Sequence, residues 1–133
     1  MKSVFLVEVH ACFRESLACI LDWEPDLQVI GQAGSLADEH ALRMVTEVAD
    51  TVVLGSGGIP ARDELAEMVR KLYEESSPPV AVLVLTTSSD PAWHAQLLEA
   101  GAERVLTKNA SLQAVVAAVL ALGFEPLAQP ELL

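Results

Sequence analysis

Val80-Ala81-Val82-Leu83-Val84-Leu85-Thr86 is the stretch on which the fold turns. Six aliphatic residues follow one another with no polar alternation. Such a run suits a strand covered on both faces, as in a parallel sheet flanked by helices. Before it, Ser76-Ser77-Pro78-Pro79 reads as a turn, and the spacing of Leu65, Met68, Val69 and Leu72 predicts a helix over 62–75 with a Glu67–Lys71 pair outside. After it, Ser89-Asp90-Pro91 starts a helix that ends near Gly101, since proline suits a first helical turn and glycine a C-cap. A short strand over 103–106 follows, and Ser111 caps a last helix reaching about Leu122.

The first half repeats the alternation. A strand over 4–9 precedes a helix over 12–22, with Phe13, Leu17, Ile20 and Leu21 at helical spacing and Pro25 as its breaker. A weaker strand spans 27–32. Ser35-Leu36-Ala37-Asp38 reads as a capping box for a helix that buries Ala37, Ala41, Met44, Val45 and Val48, and a strand over 51–54 leads into a loop over 55–60. Five βα units imply an α/β fold with a parallel sheet covered on both sides. Ligands in such folds sit where loops leave the C-terminal strand ends, here 8–11, 55–60, 86–89 and 107–109.

Composition narrows the function. The 133 residues are 52% apolar, 20% charged and 5% aromatic, with a net charge of −11. That acidity argues against nucleic acid or an anionic membrane as a direct partner, because both require a basic patch. The longest charge-free stretch, 109–124, is interrupted by Asn109, Ser111 and Gln113 and falls short of the roughly 20 residues of a span. The apolar run after Ser3 is broken by Glu8, shorter than a signal-peptide core. Cys12 and Cys19, about 10 Å apart along one helix, are too distant for a disulfide. Free thiols fit a reducing cytoplasm.

The order of elements, together with Val7-Glu8-Val9-His10-Ala11-Cys12-Phe13-Arg14-Glu15, Val29-Ile30-Gly31-Gln32-Ala33, Ile59-Pro60, Leu83-Val84-Leu85-Thr86 and Ala100-Gly101-Ala102 followed by Lys108, resembles the receiver domain of LuxR-type helix-turn-helix response regulators over residues 2–122. The resemblance implies a flavodoxin-like (βα)₅ three-layer sandwich with strand order 2-1-3-4-5. It also implies a phosphorylation switch: an acid pair holding magnesium, a phosphoacceptor aspartate, a Thr/Ser, a Lys and an aromatic rotamer. Those positions fall on Glu8 and Val9, Ser56, Thr86, Lys108 and Val105. One acid, the aspartate and the aromatic residue are replaced. Glu8 alone makes a poor magnesium site, and a serine hydroxyl without an adjacent base is a weak nucleophile. A degenerate receiver with no metal, no cofactor and no catalytic activity is the expectation.

Lys108 has two readings: a salt bridge to Glu8, or an anion site formed with Thr86 and backbone N–H groups of Gly55 to Gly58. Other chemistries are weaker. Gly55-Ser56-Gly57-Gly58 lacks the Lys-Ser/Thr ending of a phosphate loop, and Leu54 stands where a hydrolase elbow needs glycine. Glu8 and His10 are two metal-ligand types without a third.

The last helix points to a partner. Residues 111–122 are ten-twelfths apolar. Leu112, Val115, Val116 and Val119 suffice for a stripe against a sheet, so Ala114, Ala117, Leu120 and Ala121 lie outside it. An apolar outer face predicts an interface, most simply a homodimer that also uses Leu112 and Val116. Trp93 is a further candidate anchor, its other reading being burial against the fifth strand. The tail, 123–133, resembles a linker to a DNA-binding output domain. An alternative function is a small-molecule or anion sensor using the vacated pocket.

Overall fold

The structure, a computed structural model, describes residues 2–56 and 62–122. Strands β1 (Lys2–Val7), β2 (Leu27–Ala33), β3 (Thr51–Gly55), β4 (Ala81–Thr86) and β5 (Arg104–Thr107) alternate with helices α1 (Ala11–Asp22), α2 (Glu39–Arg43), α3 (Arg62–Glu75), α4 (Pro91–Ala100) and α5 (Leu112–Ala121). All pairings are parallel, in the order β2-β1-β3-β4-β5. The expected flavodoxin-like topology is therefore the observed one.

Strand alternation builds two cores. Phe5, Val7, Val52, Leu54, Val82 and Val84 face one side and pack with residues of α2, α3 and α4. Val4, Leu6, Val53, Leu83 and Leu85 face the other and pack with Leu17 and Leu21 of α1 and Val115, Val116 and Val119 of α5. Every residue of β4 is buried, which is why its sequence carries no polar alternation. The Nζ of Lys2 donates to the carbonyl oxygens of Val119, Leu120 and Leu122, fixing the end of α5 against β1. α1 and α5 thus lie side by side on one face, and the C-terminal ends of β1, β3, β4 and β5 converge at one rim.

Several local expectations change. The second helix begins at Glu39, four residues after Ser35. Asp38 is its N-cap and accepts from His40 N–H at 3.1 Å, while Ser35 Oγ accepts from Ala37 N–H at 3.0 Å in a turn. Buried Leu36 draws this segment onto the core before the helix starts. Residues Met44–Val48 form a π-helical turn closed by Ala49 N–H to Met44 O at 2.9 Å. The wider turn rotates Val48 out of the apolar stripe, leaving it 55% exposed, and Ala37 is exposed too. Glu67 pairs with Arg70 instead of Lys71. The Ser89-Asp90-Pro91 start and the Gly101 end hold, Asp90 accepting from Ala92 N–H and Gly101 adopting φ 128°. The tail, 123–133, and Gly57 to Pro60 of the loop lie outside the described residues.

Candidate functional site

Glu8 leaves the end of β1 and turns inward. Its N–H donates to Ala33 O at 3.0 Å, and Arg14 holds its carbonyl at 2.7 Å. The side chain is carried under the rim, and the residue is only 3% exposed. Burying a carboxylate is costly unless its oxygens find donors. Here Oε1 accepts from Lys108 Nζ at 2.8 Å, while Oε2 accepts from His10 N–H at 2.9 Å and lies 2.8 Å from His10 Nδ1. An ionised carboxylate only accepts, so Nδ1 carries the hydrogen in that contact. Burial raises the Glu8 pKa, but the hydrogen bonds from Lys108 and His10, with the Lys108 charge, outweigh it and bring the group below its ordinary 4.5.

The remaining positions meet at the same rim. Lys108 follows β5, anchored by its N–H to Thr86 O at 2.9 Å, with Nζ 5.3 Å from the Phe13 ring centroid. Thr86 ends β4, is buried, and its Oγ1 accepts from Ser88 N–H at 3.2 Å. Ser56 follows β3 and its N–H donates to Leu85 O at 2.9 Å. Glu8, Ser56, Thr86 and Lys108 are thus carried to one place by four adjacent strands. Val9 is exposed and points away from the burial that takes Glu8. Val105 pairs with Val84 and packs, half-buried, against the first core. Lys108 makes the ion pair with Glu8 that is the first of its two readings, while Gly57 and Gly58 of the second lie outside the described residues.

These residues do not fit a magnesium ion. Both Glu8 oxygens are already engaged, and neither Val9 nor Ser56 supplies a carboxylate. Asp50 lies at the opposite sheet end, where its carboxylate accepts from Ser3 N–H at 2.9 Å.

Because the native Glu8 pKa is depressed, its share of stability is complete above the ordinary glutamate range. It is lost as pH falls through the lowered native value. Wild-type chain should therefore lose stability more steeply below about pH 4.5 than the Glu8→Gln chain, in urea melts across pH.

The residues expected at an interface divide. Ala114, Ala117 and Ala121 of α5 are exposed, Leu112 and Leu120 half-buried, and Val116 buried in the second core. Trp93 does not join them. It is 3% exposed, packs in the first core on the far side of the sheet, and is covered by the Arg62 guanidinium 5.0 Å from its ring. As the first aromatic on a helix with Leu97 one turn on, it is a core residue. The aromatic beside α5 is Trp23, the C-cap of α1, 84% exposed. It borders a groove of about 440 Å³ between α1 and α5, lined by the apolar Ile20, Trp23, Val116, Ala117 and Leu120 together with Cys19, Gln113 and Glu24. Sequence reasoning missed Trp23, although it stands outside the Phe13–Leu17–Ile20–Leu21 stripe. It also missed Gly55, His10 and Arg14 as supports of Glu8. Cys12 and Cys19 are exposed free thiols.

The sheet order and the convergence of Glu8, Thr86 and Lys108 define a domain of the receiver type. No protein-family model matches the chain. The response regulator GacA of Pseudomonas aeruginosa is 33% identical over 119 residues, covering 90% of this chain and 54% of that protein. The signal receiver domain of NarL from Mycobacterium tuberculosis is 28% identical with a TM-score of 0.71, covering 90% of this chain and 93% of that one. A DNA-binding response regulator of the LuxR family from Staphylococcus aureus shares the fold, with a TM-score of 0.69 at 16% identity over 90% and 97% of the two chains. The relatives are response regulators and the structural neighbours include receivers of LuxR-type regulators; the chain has the receiver-domain fold and is similar to these proteins over 90% of its length. It spans about half the length of the curated relatives it matches.

Proposed function

We propose that this receiver works in signal transduction and transcription regulation as a phosphorylation-independent interaction module. The observation that carries the reading is the Glu8 carboxylate. In the pocket where the resembling domains hold a metal and a phosphoryl group, it is saturated by Lys108 and His10, and Ser56 stands in place of the acceptor. A carboxylate nucleophile and a metal site are both missing from these positions, so phosphoryl transfer here has neither acceptor nor counter-charge. The anion-sensor alternative is disfavoured by the same pair, since Lys108 already has its anion. Acetyl phosphate or beryllofluoride with magnesium should leave the amide resonances of Ser56, Thr86 and Lys108 in place. Shifts confined to those three residues would sink the reading.

The output is assigned to a homodimer through α5 and the adjoining end of α1. With a net charge of −11, two copies repel wherever their acids meet. α5 is the one described helix without a charged residue, so it is the face on which self-association meets least repulsion. Exposed Trp23 supplies an aromatic of the kind enriched at interface centres. The reading extends to a cytoplasmic regulator in which a DNA-binding output domain accompanies this one. No described helix is long and apolar enough to cross a membrane.

A further inference from the structure

Gly55 closes β3 directly beneath the Glu8 carboxylate. A Cβ built on Gly55 would stand 2.0 Å from Glu8 Oε1 and 3.0 Å from its carboxyl carbon, against an ordinary 3.4 Å from Val7 O. Any side chain at position 55 and the inward Glu8 carboxylate therefore compete for one volume. The backbone around Gly55 is regular strand with no positive φ, so the glycine is not required by the chain's conformation. What requires it is the space taken by Glu8.

We infer that Glu8 is the pocket's own standing anion, admitted by Gly55 and clasped by Lys108 and His10, so that the rim is held in one state by an internal carboxylate instead of a bound ligand. The inference deepens, and rests on, the reading of this rim as a site that phosphoryl transfer does not switch. Gly55 is a positioning residue in this scheme: it touches nothing but makes the inward pose possible. Lys108 contributes the charge from β5, His10 its N–H and ring from the start of α1, and Arg14 pins the Glu8 carbonyl from the next turn. The ends of β1 and β5 and the start of α1 are thereby tied through a single side chain, and a state that does not change at the rim leaves the outer helices as the place where partners are met.

The test is a double-mutant cycle between Gly55→Ala and Glu8→Ala, read by urea denaturation of the full chain. A methyl at position 55 meets only the far end of a flexible side chain, so the fold can accept it by letting Glu8 swing out. Gly55→Ala should shift the unfolding constant about a hundredfold when Glu8 is present and less than about threefold when Glu8→Ala has cleared the space. If Gly55→Ala alone fails to fold while the double variant folds, the same conclusion stands. Equal cost in both backgrounds overturns the inference. A second readout follows the ¹³C resonance of the Glu8 carboxyl with pH. Its midpoint should rise in Gly55→Ala as Lys108 and His10 are lost, and an unmoved midpoint also overturns the inference. Neither measurement involves phosphoryl groups, so a beryllofluoride response would defeat the proposed function while leaving this cycle intact, and the reverse holds equally.

Discussion

Lys108→Met should lower the free energy of unfolding by about 3 kcal/mol, and adding Glu8→Met should recover most of that loss. The Glu8 side chain is 4% exposed and that of Lys108 16%, so the single variant strands a carboxylate under the rim with only His10 to satisfy it. Removing one member of a buried pair costs roughly 3–5 kcal/mol, because the remaining charge stays desolvated and unpaired. Partial exposure of Lys108 and the surviving His10 contacts place this case at the low end. Replacing both members by apolar side chains removes the desolvation penalty together with the attraction. The recovery therefore distinguishes a charge effect from lost packing of the lysine stem on Phe13. Urea denaturation of wild type, the two single variants and the double variant gives the coupling directly. A loss below about 1 kcal/mol for Lys108→Met would show that the pair behaves as an exposed salt bridge.

Leu120→Glu should convert a dimer into a monomer while leaving the fold unchanged. Leu120 is half-buried and lines the α1–α5 groove, whereas the core of α5 is held by Val115, Val116, Ala118 and Val119. A carboxylate there has room to reach water in one copy. Between two copies it would be buried against Trp23, Ile20 and Ala117 and would add to a chain already at −11. Loss of a central contact costs about 2 kcal/mol or more, which is at least about thirtyfold in the dissociation constant. Trp23→Ala should act in the same direction without adding charge. Trp93→Ala should instead lower stability, since Trp93 fills the core on the other side of the sheet. Light scattering with circular dichroism separates these outcomes. An unchanged mass for Leu120→Glu with wild-type ellipticity would remove α5 as the dimer face.

Much of the fold was legible because its signals are local. The β4 run announces burial on both faces, and the α3 stripe together with the turn behind it gives the helix Arg62–Glu75 that the structure shows. Ser111 and Asp90 cap their helices as their side chains suggest. The second helix was misread because its start is set by the burial of Leu36 and its end by a π-helical turn, and neither is a periodic signal. At the site, the Glu8–Lys108 pair could be anticipated from two opposite charges at strand ends of the same rim. Gly55 could not, since a glycine among Gly57 and Gly58 reads as loop chemistry, and only three-dimensional placement shows that its missing side chain is where Glu8 lies. The two tryptophans show the same limit. Trp93 and Leu97 fit a helix face, but which side of the sheet that face meets, and what covers the ring, depend on the crossover and on Arg62.

A receiver that meets its partner copy without a phosphoryl signal keeps one solution mass whatever the pocket is offered. Light scattering of the wild-type chain, with and without magnesium and beryllofluoride, measures that mass. The expected result is twice the mass of one chain in both conditions. A monomer that becomes a dimer only when beryllofluoride and magnesium are added would contradict it.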